Sequence, residues 1–293
     1  MDGVLVLEKP PQWTSHDAVA RARRFLGTRQ IGHLGTLDPL ATGVLPLAVG
    51  AATRLIEFTR FDKQYEAVCL LGRETDSADV TGVVLRERPW QGLDPDEVRK
   101  VVLTLAEIRE QIPPMVSAVK SGGKRLYQLA REGKEVERLP RPVRILALEI
   151  LSLDLPRVSL RVTCSSGTYI RTLCGTLGER LEVGGCLEAL RRTQVGPFSM
   201  QQAHSLEYLK KAGEEGRGES LLLPASDLVA HLPSLTLEAD ALKTLCQGQP
   251  QRAGAPPMER LRVLNGEGRL CAIVESTGDW LKPQKVFGPE GIA

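Results

Sequence analysis

No stretch of the 293-residue sequence stays apolar for the roughly 18 residues that a membrane-crossing helix needs. Even residues 40–52 are interrupted by Thr42, Gly43 and Pro46. The start, Met1-Asp2-Gly3-Val4, has no basic n-region, and Glu8-Lys9 breaks the apolar stretch behind it, so no secretory signal and a cytoplasmic location are expected. The six cysteines (Cys69, Cys164, Cys174, Cys186, Cys246 and Cys271) form no CxxC pair and have no histidine at a ligand interval. That spacing argues against structural zinc and leaves them as small buried hydrophobes of a reducing compartment. A net charge of +2 exerts no general pull on nucleic acid. Arg21, Arg23, Arg24 and Arg29 form a local excess that suits either phosphates or a solvated helix face. No repeat runs at solenoid spacing, and no Ser-His-Asp, Cys-His, P-loop or dinucleotide pattern is present.

What is present can bury a sizeable core: 42% hydrophobic and 25% charged residues fit one large domain with a small one behind it. Val4, Val6 and Leu7 lead into Lys9-Pro10-Pro11, a strand followed by a turn. Thr14 and Asp17 have capping-box spacing, and Ala18, Val19, Ala22, Phe25 and Leu26 share one face, which predicts a helix over Ser15–Leu26 ending near Gly27. Residues 45–49 and 65–71 read as strands with a helix over 51–61 between them, and Asp94-Pro95-Asp96-Glu97 opens a helix to about Leu105. Val158, Leu160, Val162 and Cys164 alternate with polar residues as a strand with one buried face. After Ser165-Ser166-Gly167, the residues Ile170, Leu173, Cys174, Leu177 and Leu181 lie on one helical face that stops at Gly184-Gly185. These signals predict an α+β architecture with a mixed or largely antiparallel sheet. Residues 212–220 read as an exposed glycine-rich loop or linker, and beyond His231 two short strands flank an Asn265-Gly266 hairpin signal in a small β-rich unit.

Between helix and strand lies Gly32-His33-Leu34-Gly35-Thr36-Leu37-Asp38-Pro39-Leu40-Ala41-Thr42-Gly43, which has no sustained period and reads as an ordered loop able to carry function. Asp38, followed by proline and set among glycines, either presents a carboxylate or only starts a turn. Arg171, at a strand-to-helix junction with Tyr169, either holds a carboxylate ionised or is a surface arginine of little worth. His16 and His33 suit acid–base work or simple hydrogen bonding.

The twelve-residue loop resembles the signature of the bacterial tRNA pseudouridine-55 synthases, and further segments in the family's order extend the likeness. They are Val6-Leu7-Glu8-Lys9-Pro10, Lys63-Gln64-Tyr65-Glu66, Leu71-Gly72-Arg73-Glu74-Thr75-Asp76, Ile112-Pro113-Pro114-Met115-Val116-Ser117-Ala118, Ser166-Gly167-Thr168-Tyr169-Ile170-Arg171, Leu190-Arg191-Arg192-Thr193 and Leu281-Lys282-Pro283. The resemblance implies a pseudouridine-synthase fold over residues 1–231 and a small β-barrel RNA-binding domain of the PUA type over 232–293. It implies Asp38 as the catalytic nucleophile, a role asparagine cannot fill. Tyr65 would stack on the target uracil and help with its C5 proton. Tyr169, Arg171 and Leu190 would line the pocket, with Arg171 keeping Asp38 ionised. His33 would fill the gap left by the flipped base.

Lys9 and Arg54 are carried over as basic positions that hold phosphates or buttress the loop. Lys120, Lys124, Arg125, Arg131 and Lys134, in an insertion over about 112–136 with a hairpin tip at Gly122-Gly123 and a short helix at 126–131, would clamp RNA. The implied partner is the tRNA T-arm, bound by a monomer without guide RNA, membrane, metal or cofactor. Two positions depart from the family: Gly175-Thr176 replaces an acidic position, and His16 a small or amide one. A tRNA-folding factor without turnover is the rival reading, opposed by the intact Asp38, Tyr65, Tyr169 and Arg171; a metal-dependent nuclease lacks the clustered carboxylates it needs.

Overall fold

The computed structural model describes every residue except Ala118, Gly122, Tyr127, Gln128, Ala130, Arg131, Glu135 and Ala253, and leaves out the side chains of Lys120, Ser121, Lys124 and Arg125. Arg131, most of the helix expected at 126–131 and those three basic side chains thus lie outside the described residues. An eight-stranded sheet organises the first two-thirds of the chain. Its strands are β1 (Gly3–Lys9), β2 (Ile31–His33), β3 (Thr42–Val49), β4 (Lys63–Leu71), β5 (Ile145–Asp154), β6 (Arg157–Cys164), β7 (Gly185–Val195) and β8 (Phe198–Ser199). The order is β1-β3-β7-β4-β6-β5, with β2 on β3 and β8 on β7; only β3 and β7 run parallel. This is the mixed, largely antiparallel sheet expected, and α1 (Ser15–Leu26), α2 (Pro95–Thr104), α3 (Ile170–Arg180) and α4 (Leu206–Glu214) accompany it.

Local chemistry sets the helix ends. Thr14 accepts from the Asp17 amide while Asp17 accepts from the Thr14 amide, and Gly27 closes α1 at φ 66°. The segment expected as a helix over 51–61 is instead a 3₁₀ helix, Gly50–Phe58. Its buried Ala52, Leu55 and Phe58 recur every third residue, the period of the tighter helix rather than of the α form. Of the run at 212–220, residues 214–217 are exposed and turn there, as a loop reading expects, but its start belongs to a helix. α4 continues through Gly213, whose missing side chain admits the Phe25 carbonyl: a Cβ there would sit 2.2 Å from it. Small residues here serve close packing against α1.

The reading of all six cysteines as separate thiols also needs correction. Cys69 of β4 and Cys174 of α3, with Cα atoms 5.2 Å apart, are joined by a disulfide inside the core. Cys164, Cys186 and Cys271 are free and buried, and burial pushes each thiol up to about 11.

Toward the C-terminus, α5 (Ala239–Cys246) packs on a five-stranded sheet of β9 (Ser234–Thr236), β10 (Gln251–Arg252), β11 (Met258–Leu264), β12 (Leu270–Ser276) and β13 (Trp280–Val286), ordered β9-β11-β12-β13-β10. This is the small PUA-type unit. Its own core holds Leu242, Leu245, Val263, Val274 and Leu281. A second cluster joins it to the large sheet: Leu270, Ile273 and Ile292 pack with Val4, Val6, Val44, Phe58 and Phe198. β11 and β12 pair antiparallel as the hairpin expected around Asn265-Gly266. The Asn265 side chain accepts from the Glu267 and Arg269 amides, and Gly268 takes the left-handed conformation at φ 77°.

Candidate active site

Sheet register assembles the site. Across four neighbouring strands Val162, Tyr65, Arg192 and Gly43 stand in one row, Tyr65 paired with both Val162 and Arg192 and Arg192 with Gly43. Gly43 has φ 98°, and a Cβ would meet the Arg192 carbonyl at 2.2 Å, so the β3–β7 contact beside the loop requires glycine. The loop before β3 carries Asp38 and is tied down from three sides. Ser15 of α1 accepts from the Leu37 amide (2.8 Å). Arg192 donates to the carbonyls of Val44 (2.7 Å), Gly35 (3.1 Å) and Thr36 (3.4 Å). Lys9 donates to Pro10 O (2.9 Å), Trp13 O (2.6 Å) and Pro39 O (3.4 Å). Both cations are fully buried and spend their donors on backbone. The Lys9 ammonium thus faces three loop carbonyls. Burial pushes Lys9 down to about 8, against the pull of Asp38.

Arg171 is no surface arginine. Its side chain is 3% exposed and pairs through Nε with Asp38 Oδ2 at 2.9 Å, while Nη1 and Nη2 donate to Ser77 O (2.8 Å) and Val116 O (2.6 Å). Behind it stands a second carboxylate, Asp79, with Oδ2 4.0 Å from Nε and Oδ1 accepting from the Ser77 hydroxyl (2.9 Å) and the Thr81 amide (3.0 Å). Burial raises the Asp38 carboxyl above its ordinary value, Arg171 opposes, and Asp79 adds to the rise. Tyr65 is buried, accepts a hydrogen bond from Arg192 and is held well above the usual phenol range by burial, so it remains a neutral phenol. The Tyr169 backbone is clasped by the Gln111 side chain, whose Oε1 accepts from its amide (2.9 Å) and whose Nε2 donates to its carbonyl (3.3 Å).

Asp38, Tyr65, Tyr169, Arg171 and Leu190 line one cavity of about 250 Å³, together with Lys63 and Ser117. That is below the ~300–1,000 Å³ typical of drug-sized ligands and fits a single base. His33 does not line it: the half-buried ring packs edge-on to His16 at 5.5 Å, and its Nδ1 accepts from the Gly35 amide (3.3 Å). Arg54 is exposed and reaches the C-terminal unit, donating to Val286 O (2.7 Å) with its guanidinium 5.0 Å over Phe287. Lys120 pairs with Arg125 and Ser121 with Lys124 in a small hairpin, as expected of the Gly122-Gly123 tip.

A larger cleft of about 780 Å³ beside Lys9, lined by Trp13, Arg21 and Phe25, has Glu8 already paired with Arg191 at 3.2 Å. Three residues escaped the sequence reading. Asp79 sits between Ser77 and Thr81, whose hydroxyls suit capping a buried carboxylate. Arg192 shares a strand face with Leu190, so alternation could have placed it inward. Lys63 stands two residues before Tyr65, on the same face.

Residues 23–170 match the model of the TruB family pseudouridylate synthase N-terminal domain, and residues 171–230 that of the tRNA pseudouridylate synthase B C-terminal domain. The chain belongs to the TruB family. It is an isomerase of the pseudouridine synthase class. Among TruB relatives, tRNA pseudouridine synthase B of Geobacter sulfurreducens is 43% identical, covering 97% of each chain. That of Heliobacterium mobile is 46% identical, covering 98% of this chain and 95% of its own. In a solved Cbf5-Nop10-Gar1 complex, one chain superposes with a TM-score of 0.74 at 26% identity, over 98% of this chain and 86% of that one. Another such structure is an H/ACA RNP bound to a substrate RNA containing 2′-deoxyuridine (TM-score 0.72, 25% identity, 97% and 84% covered). Among the described residues, no helix of this TruB chain is long and apolar enough to cross a membrane.

Proposed function

We propose that this chain converts uridine 55 in the T-loop of tRNA to pseudouridine, as a stand-alone cytoplasmic monomer that uses neither guide RNA nor cofactor and also assists tRNA folding. The observation that carries the reading is the Arg171-bound Asp38 carboxylate in a base-sized cavity with Tyr65. A uridine stacked in a loop is out of reach, so the target must be flipped out at a cost of about a few kcal/mol. Asp38 then promotes breakage of the N-glycosidic bond, the uracil turns against Tyr65 and Leu190, and C5 rejoins the ribose. Tyr65 stacks on the uracil and helps with its C5 proton. His33 fills the gap left by the flipped base. Residues 1–231 do the chemistry, and 232–293 with the insertion at 112–136 hold RNA.

The test is release of tritium from C5-labelled uridine in unmodified tRNA by purified protein without added metal or cofactor. Because the reaction needs the carboxylate form of a group whose burial raises its pKa, kcat/KM should fall on the acid side at a pH above the ordinary aspartate value of 3.8. No tritium release at any pH would defeat the reading. For the insertion, replacing Lys120, Lys124 and Arg125 together by alanine should flatten the salt dependence of tRNA binding by up to about three phosphate contacts. Single-turnover chemistry at saturation should stay within about threefold, and an unchanged salt slope would remove these residues from the RNA interface.

A further inference from the structure

Four cations surround the base-sized cavity, and three of them are committed. Arg171 spends Nε on Asp38 and both terminal nitrogens on backbone carbonyls. Arg192 spends its guanidinium on Val44, Gly35, Thr36 and Tyr65. Lys9 holds three carbonyls. Lys63 differs. It lines the cavity with Asp38 and Tyr65, and among the described residues its ammonium has a single hydrogen bond, to the Ser166 hydroxyl at 3.2 Å. β-strand alternation sets it on the Tyr65 face of β4.

Resting on the function proposed above, we infer that Lys63 is a further catalytic residue, the cation that receives the negative charge of the detached uracil. Breaking the N1–C1′ bond sends its electron pair into the ring, which becomes an anion delocalised over N1, O2 and O4. Forming the C5–C1′ bond uses an electron pair of that ring; C5 then loses its proton and N1 gains one, so the net change is an isomerisation. Between these steps the anion is unattached and needs a donor not spent elsewhere. A preplaced, partly dehydrated ammonium is most effective where charge develops in the transition state. Burial pushes Lys63 down to about 8, with Arg192 of β7 acting in the same direction and Cys164 of β6 and Asp62 opposing. An approaching anion would relieve that strain, whereas a bound neutral uridine would not, so the benefit falls on rate rather than on affinity.

The experiment compares wild type, Lys63→Met and Lys63→Arg in single turnovers at saturating tRNA, each on transcripts containing uridine and on transcripts containing 5-fluorouridine. Glycosidic cleavage is followed by nucleoside chromatography, and tRNA affinity is measured in parallel. Lys63→Met should slow the uridine transcript by about 10²-fold, the usual consequence of losing one charge-stabilising donor. Affinity should stay within about threefold, and Lys63→Arg should recover to within about tenfold of wild type. Fluorine stabilises the uracil anion by itself, so on 5-fluorouridine transcripts the Lys63→Met defect should shrink below about tenfold. An unaltered rate, a defect of equal size on both transcripts, or a loss confined to affinity would overturn the inference, the last by making Lys63 a phosphate contact. A wild-type protein inactive on the uridine transcript would instead sink the function on which it rests.

Discussion

Asp38→Asn is expected to lower the single-turnover rate by at least roughly 10⁴-fold while tRNA affinity stays within about tenfold, the pattern of a lost nucleophile. The amide keeps the size and hydrogen-bonding reach of the carboxylate but has no charge to offer a reacting carbon. The loop should survive the change, because Ser15, Arg192 and Lys9 hold its backbone and not its carboxylate. The variant leaves the buried Arg171 with Asp79 and two backbone carbonyls, so the fold should hold while some stability is lost. A thermal melt beside rapid-quench kinetics reads both effects. Turnover within tenfold of wild type would remove Asp38 from the chemistry.

Arg171→Lys should slow the chemical step by about 10²-fold or more and cost much less in binding, because one ammonium cannot replace the three directed contacts to Asp38, Ser77 O and Val116 O. The damage comes from position more than from charge, since a lysine still neutralises one of the two nearby carboxylates. Arg171→Met removes that neutralisation as well, leaves Asp79 buried without its cation and should destabilise the protein by about 3–5 kcal/mol. Denaturant midpoints for both variants, with kcat and KM separately, distinguish the two effects. Equal losses in affinity and turnover number for the lysine variant would recast Arg171 as an RNA contact.

Much of this arrangement was legible before any coordinates. α1 could be bounded because its capping box, apolar face and terminal glycine are all local signals, and they agree. Asp38, Tyr65, Tyr169, Arg171 and Leu190 could be gathered by resemblance, and all five line one cavity. What escaped depends on contacts between distant segments. Arg192 lies 157 positions from the Gly35 carbonyl it holds, and although alternation separates it from the exposed Arg191, nothing local says what it meets. The reach of Lys9 to the Pro39 carbonyl, 30 positions away, is equally invisible locally. Asp79 gains meaning only once α3 brings Arg171 against it. Gly213 misled for a related reason: composition cannot separate a glycine that loosens a chain from one that lets another helix come close.

The apolar cluster shared by β1, β3 and residues 270–292 has a bearing on how the chain reaches its native state. Val4 and Val6 leave the ribosome more than 260 positions ahead of Leu270, Ile273 and Ile292, which complete their surroundings. At translation speeds of about 5–20 residues per second, that strand waits tens of seconds for its last neighbours. The nascent protein must therefore carry an unfinished sticky face through most of its synthesis, a period in which chaperones have work to do and in which a ribosome stalled late leaves a product prone to aggregate.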